Sequence, residues 1–347
     1  EHRENIWKSA PGRGANMSFG ISRRRFLASM GSLAAAASGA SAASAARGAL
    51  RSDAMKSPFR VSVINDEIGQ DFGHVCEVAS QEFGMQWIEL RGMWDKNILN
   101  LDAKQVAEAQ RILAKNNLRV TDIASPLFKV DWPGAPKSKF SPKNTQFGAD
   151  FSFDRQDEAL ELGIAMAKAF GTDRLRCFDF WRLEDAKPYR PAMNEKLREA
   201  AKKADKSGVI LVLENEAACN TATGAESARV LSEIKAHNFM LNWDPGNAAA
   251  AGETPYPDGY NRLPNQRIGH CHCKDAVRVP GKEGGTDWAA MGSGFIDWVG
   301  QFRALERDGY KYAVSLETHW RGAGTPEEST RQSWAGMKQE LQKAGTL

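Results

Sequence analysis

A repeated rhythm constrains this chain more than any other feature. Short apolar runs of strand length alternate with segments whose apolar residues recur at helical spacing, and the alternation repeats eight times. The strand-like runs fall at residues 59–65, 87–90, 120–124, 174–178, 209–214, 239–244, 268–274 and 312–317. Helices are expected at 72–83, 101–116, 155–170, 191–207, 224–236, 296–308 and 326–344. Gly84, Gly171 and Gly208 follow three of these helices, where glycine ends a helix most easily. Asp102 is placed to cap the second. Such an alternation predicts an α/β fold, a (β/α)8 TIM barrel. A doubly wound sheet would carry a glycine-rich phosphate turn after an early strand, and none follows residues 59–65. Two stretches break the rhythm. Residues 125–153, with four prolines, read as a long loop over one end of the molecule, a lid or a surface insertion. Residues 245–267 read as irregular, with a short helix near 256–263.

The first 46 residues read separately, as an N-terminal extension and export signal. Arg23, Arg24 and Arg25 precede Phe26-Leu27 and a weakly apolar run rich in Ala, Ser and Gly. The pattern resembles a twin-arginine (Tat) signal peptide, and Ala43-Ser44-Ala45 offers a cleavage site. The run is too poor in strongly apolar residues for a membrane anchor. Met17 suits the true start, with residues 1–16 upstream of it. The resemblance implies export of a folded protein to the periplasm, with no stable membrane insertion after signal removal. Residues 47–57 read as a linker and 58–347 as the barrel domain. The formal charge of +3 is concentrated in the signal. Without residues 1–45, the 46 basic and 43 acidic residues become 40 and 41, so no basic field argues for nucleic acid.

Strand ends carry the chemistry of such a barrel, because the active site lies at the C-terminal face. Three apolar runs end on a carboxylate: Glu214, Asp244 and Glu317. A fourth contains Gly269-His270-Cys271-His272-Cys273-Lys274-Asp275, whose two histidines share one face because side chains alternate along a strand. Neighbouring strands lie about 4.8 Å apart, so side chains from four successive strands can share one ion. A single terminal carboxylate is ordinarily a solvated end or a salt-bridge partner; three carboxylates and a histidine on four adjacent strands are a different matter. Three carboxylates and an imidazole favour Mn²⁺, with Mg²⁺, Co²⁺ or Zn²⁺ also compatible. Cys271 and Cys273 suggest a zinc motif, but on a strand they point away from His272 and are expected to pack outside the barrel. Glu89 either lines the pocket or pairs with Arg91. Lys274 either holds substrate oxygens or pairs with Asp275. His319 shares the face of Glu317 and is a candidate for substrate contact.

These motifs resemble the xylose isomerase-like TIM-barrel superfamily of sugar isomerases and epimerases. Leu213-Glu214-Asn215, Trp243-Asp244-Pro245-Gly246-Asn247, the His270–Asp275 segment and Ser315-Leu316-Glu317 are similar to the family's ligand motifs on strands five to eight. The resemblance implies Glu214, Asp244, His272 and Glu317 as metal ligands, with Glu214 and Glu317 also the catalytic acid–base pair. It selects His272 over His270, which becomes a pocket residue. Arg278 lies where the epimerases carry a substrate-binding arginine. Asn247 lies where they often carry a substrate-binding histidine, a departure that bears on the sugar recognised.

A cation between two carboxylates suits proton abstraction beside a carbonyl through an enediolate. The expected activity is metal-dependent isomerisation or epimerisation of a sugar or keto-sugar. The alternatives are a lyase, dehydratase or deglycosidase on a keto-sugar or keto-glycoside, resembling inosose dehydratase, and a sugar-binding protein without catalysis. An endonuclease IV-like role would need more histidines than the six present. The sequence leaves the substrate, the metal and a homo-oligomer open.

Overall fold

A computed structural model describes residues 55–141, 151–282 and 285–347. The twin-arginine signal, most of the 47–57 linker and part of the 125–153 loop lie outside the described residues.

Eight strands make one parallel sheet: β1 (Arg60–Val63), β2 (Trp87–Leu90), β3 (Arg119–Leu127), β4 (Arg174–Cys177), β5 (Ile210–Glu214), β6 (Phe239–Trp243), β7 (Ile268–Cys273) and β8 (Ala313–Leu316). The order is β1-β8-β7-β6-β5-β4-β3-β2. The two edges meet through a parallel bridge between Ile64 and Glu89, so the sheet is a nearly closed barrel. The helices are α1 (Phe72–Glu77), α2 (Ala103–Lys115), α3 (Gln156–Phe170), α4 (Arg190–Asp205), α5 (Gly224–Glu233), α6 (Pro245–Ala250), α7 (Trp298–Arg307) and α8 (Pro326–Ala344). None is long and apolar enough to cross a membrane, among the described residues.

Local chemistry explains the boundaries. Asp102 caps α2 in a reciprocal capping box with Gln105. Thr223 and Glu226 do the same for α5. Gly171 and Gly345 close α3 and α8 at positive φ. Between sheet and helices runs an apolar layer that includes Cys271, Cys273, Trp243, Trp298 and Phe302. All five described cysteines are free and buried. Inside the barrel the side chains are mostly polar, and Glu89, Asp122, Arg176, Asn242, His270 and His272 are all buried.

Three local features differ from the sequence reading. β3 continues through Pro126 to Leu127, where the expected loop began at residue 125. Its register against β4 is irregular there, so the missing proline N–H breaks no regular ladder. Residues 245–250 are helical, because Asp244 caps Asn247 N–H and Pro245 occupies the first turn. The link from β7 to α7 contains a hairpin, Asp275–Arg278 against Thr286–Ala289.

Candidate active site

Glu214, Asp244, His272 and Glu317 come from four successive strands, and one ligand atom from each lies within 4.8 Å of the others. All four are at least 97 % buried. His272 sits at the centre. Its Nδ1 is 3.4 Å from Glu214 Oε1, 3.4 Å from Glu317 Oε2 and 3.8 Å from Asp244 Oδ2. Its Nε2 lies on the other side, 3.0 Å from Glu89 Oε1.

The barrel register sets this arrangement. Ser315 pairs with His272 across β8 and β7, and Glu317 N–H donates to the Cys273 carbonyl at 3.0 Å. Glu214 stands opposite Asn242 across β5 and β6. Asp244 is held extended at the mouth of β6, where its Oδ1 accepts from Asn247 N–H at 2.8 Å. Asn215 clamps the same turn, donating to the Asp244 carbonyl and accepting from its N–H. Gly246 belongs here for a steric reason: a Cβ would lie 2.8 Å from the Lys274 carbonyl oxygen.

Each carboxylate has its own basic partner. Arg176 donates to Glu214 Oε2 at 3.0 Å, and Asn247 Nδ2 donates to Oε1 at 3.1 Å. Arg91 donates to Glu317 Oε1 at 2.9 Å and to Glu67 and Asp66 behind it. Lys274 Nζ lies 2.6 Å from Glu317 Oε2 and 2.9 Å from Asp244 Oδ2. Burial pushes the Glu214 carboxyl up, but Arg176 and His272 overcome it and hold it below the usual range. For Glu317, Lys274, His319 and His272 outweigh burial in the same way. Burial favours the neutral form of His272, yet Glu89, Glu214 and Glu317 hold it protonated well above its ordinary value. His270 is driven the other way by burial, down to about 3.

The remaining expected residues are distributed as follows. His270 is fully buried beneath His272, 3.4 Å from Glu89 Oε2. Glu89 is also fully buried, 3.0 Å from His272 Nε2 and 3.4 Å from His270 Nε2. Asn247 commits its amide to Glu214 and to the Asn215 carbonyl. Lys274 joins Asp244 and Glu317, while Asp275 accepts from the backbone of Gly292 and Gly294. His319, 31 % exposed at its side chain, is 3.2 Å from Glu317 Oε1 and meets the edge of Trp288. Arg278 is exposed on the hairpin, its guanidinium 4.2 Å from the Phe295 ring centre. Arg176, Glu67 and Asp66 were absent from the sequence reading. Arg176 sits within a strand, where only its inward face marks it.

The donor set fits a divalent cation. Three carboxylates and one imidazole converge within 4.8 Å of one another, a mostly oxygen donor set. Two further groups, Glu89–His270–His272 and Glu67–Glu317–His319, have similar spacing. In the second, Arg91 and Arg321 already neutralise Glu67. Cys271 and Cys273 belong to no such group among the described residues.

No curated protein matches the sequence at a significant level. Solved structures resemble the fold. The zinc-bound IolI protein superimposes with a TM-score of 0.63 at 14 % identity, covering 84 % of this chain and 98 % of that one. The probable 3-DHS dehydratase AsbF of Bacillus anthracis gives 0.60 at 19 % identity, covering 81 % and 98 %. The 3-keto-D-glucoside 4-epimerase YcjR of E. coli gives 0.57 at 17 %, covering 81 % and 99 %. At these identities the likeness speaks for the fold alone. A sequence profile described as xylose isomerase-like TIM barrel matches residues 78–340, and with strands and strand ends arranged as above, the chain belongs to that family.

Proposed function

We propose that the protein is a divalent-metal-dependent sugar isomerase or epimerase, with Glu214, Asp244, His272 and Glu317 holding one ion, Mn²⁺ by preference. The observation that carries the reading is the placement of two ionised carboxylates, Glu214 and Glu317, each 3.4 Å from the same imidazole nitrogen. A cation bound there supplies polarisation of a substrate carbonyl and stabilisation of the negative charge of an enediolate. The rest falls to the chain. One of the two carboxylates takes the carbon-bound proton, and the other side returns it. Arg176 and Arg91 hold the carboxylates in position and ionised, ready to accept a proton. Lys274 and His319 face Glu317 and can orient substrate oxygens. Trp288 stands against His319 and Lys274 as an apolar wall. Return of the proton to the opposite face gives an epimer; return to the adjacent carbon gives an isomer.

A second reading, elimination from a keto-sugar or keto-glycoside, is favoured by His319. Its half-buried imidazole beside Glu317 can protonate a departing oxygen. Similar barrels include enzymes of both kinds, a 3-keto-D-glucoside 4-epimerase and a probable 3-DHS dehydratase. We further propose, from the twin-arginine segment, that the substrate is met after export. The test is incubation of Mn²⁺-loaded protein in D₂O with a panel of ketoses and 3-keto-glucosides, followed by mass analysis. Isomerisation or epimerisation replaces one carbon-bound hydrogen with deuterium and loses nothing else; elimination loses water or an alcohol. A panel with neither deuterium uptake nor mass loss contradicts both readings.

A further inference from the structure

We infer that Glu89 is a positioning residue that fixes which nitrogen of His272 faces the metal. The inference rests on the proposed ion at Glu214, Asp244, His272 and Glu317, and concerns a residue outside that set.

An imidazole can ligate through either nitrogen, and the hydrogen bond at the other decides which. Here the two nitrogens face different surroundings. Nδ1 looks into three carboxylates at 3.4, 3.4 and 3.8 Å. Nε2 faces Glu89 Oε1 at 3.0 Å, with the Asn242 amide nitrogen 3.1 Å from Nε2 and 3.4 Å from Nδ1. An ionised carboxylate only accepts, so this bond is made when Nε2 carries the proton. In the neutral ring that binding a cation requires, the lone pair is then on Nδ1, the nitrogen nearest the three ligand carboxylates.

The surroundings of Glu89 agree. It leaves β2 at the point where β1 and β2 close the barrel through the Ile64–Glu89 bridge. It is fully buried, like His272 and Asp244. Its second oxygen lies 3.4 Å from His270 Nε2 without a hydrogen bond, and His270 Nδ1 lies 3.2 Å from Asn242 Oδ1. A carboxylate hydrogen-bonded to a ligating imidazole both orients the ring and makes it a better ligand.

Two measurements test this, and neither needs turnover. The first is Mn²⁺ affinity, read by electron paramagnetic resonance, for wild type, Glu89→Gln and Glu214→Gln, with a thermal melt of each. Glu89→Gln is expected to weaken Mn²⁺ by about 10–100-fold, the usual cost of losing such a partner. Equal affinity in wild type and Glu89→Gln overturns the role of Glu89 and leaves the ion site standing. A wild type that takes up no Mn²⁺ overturns the site and this inference together. The second needs no variant: long-range ¹H–¹⁵N correlation on Zn²⁺-loaded wild type with ¹⁵N-histidine. His272 with the proton on Nε2 and the metal on Nδ1 is the expected signature. The reverse tautomer overturns the inference.

Discussion

The two halves of the barrel divide the work. Strands β5 to β8 supply Glu214, Asp244, His272 and Glu317, the convergent acceptors. Strands β2 and β4 and the β2 loop supply Glu89, Arg176 and Arg91, which hold those acceptors from behind. One half is built to bind charge, the other to keep the binding half ionised and in place. Three buried carboxylates without Arg176, Arg91 and Lys274 would protonate or repel one another. A candidate site therefore includes its counter-charges.

The comparison breaks first at the acceptors. Replacing Glu317 by Gln keeps shape and removes the proposed base. Deuterium exchange into substrate is expected to fall by about 10²–10⁴-fold, the usual range for a positioned acid or base. A variant that still exchanges at the wild-type rate would move the chemistry to another group.

The supporting half should respond in stability. Arg176→Met leaves Glu214 buried without its ion pair, and denaturant unfolding of the metal-free protein is expected to show a loss of about 3–5 kcal/mol. Added Mn²⁺ should restore part of it. A small loss without metal would mean that His272 alone suffices.

Asp122 sharpens the contrast through pH. Burial, reinforced by Glu89, pushes its carboxyl up to about 8, and both its oxygens lack hydrogen bonds. Its folded pKa is above the unfolded value of about 3.9. The folded state therefore keeps a proton that the unfolded chain releases, and stability drains away as pH rises from about 4 to about 8. Asp122→Asn should remove that slope. Its melting temperature should exceed wild type by a few degrees at pH 8, at about 2–4 °C per kcal/mol, and match it at pH 4. Parallel melting curves across that range would contradict the shift.

The smallest effect is expected on β7 itself, where inward and outward faces can be compared two residues apart. Cys271→Ser and Cys273→Ser should leave Mn²⁺ stoichiometry unchanged, because both thiols lie in the layer between sheet and helices. Loss of the ion in either variant would revive a Cys-His-Cys site.

Much of this was legible in the sequence, for a physical reason. Strand ends announce themselves: an apolar run that stops on a carboxylate is visible in one dimension, and barrel topology then brings such ends together. Asp102, Gly171 and the span Pro326–Ala344 were readable because caps and helical spacing are local. What stayed hidden depends on three dimensions. Arg176 reads as an ordinary strand residue until the barrel turns it toward Glu214. Glu89 has two equivalent readings, a pocket wall or a partner of Arg91, and the structure gives it a third, beneath His272. The helix Pro245–Ala250 was missed although its cap, Asp244, had been singled out as a ligand; its one carboxylate serves the turn through Oδ1 and faces the cluster through Oδ2.

The central claim is that four strand ends hold one divalent ion. Crystals soaked in Mn²⁺ and measured at the manganese absorption edge test it most directly. The account predicts a single anomalous peak bounded by Glu214, Asp244, His272 Nδ1 and Glu317. No peak there, or a peak at Cys271 and Cys273, would contradict it.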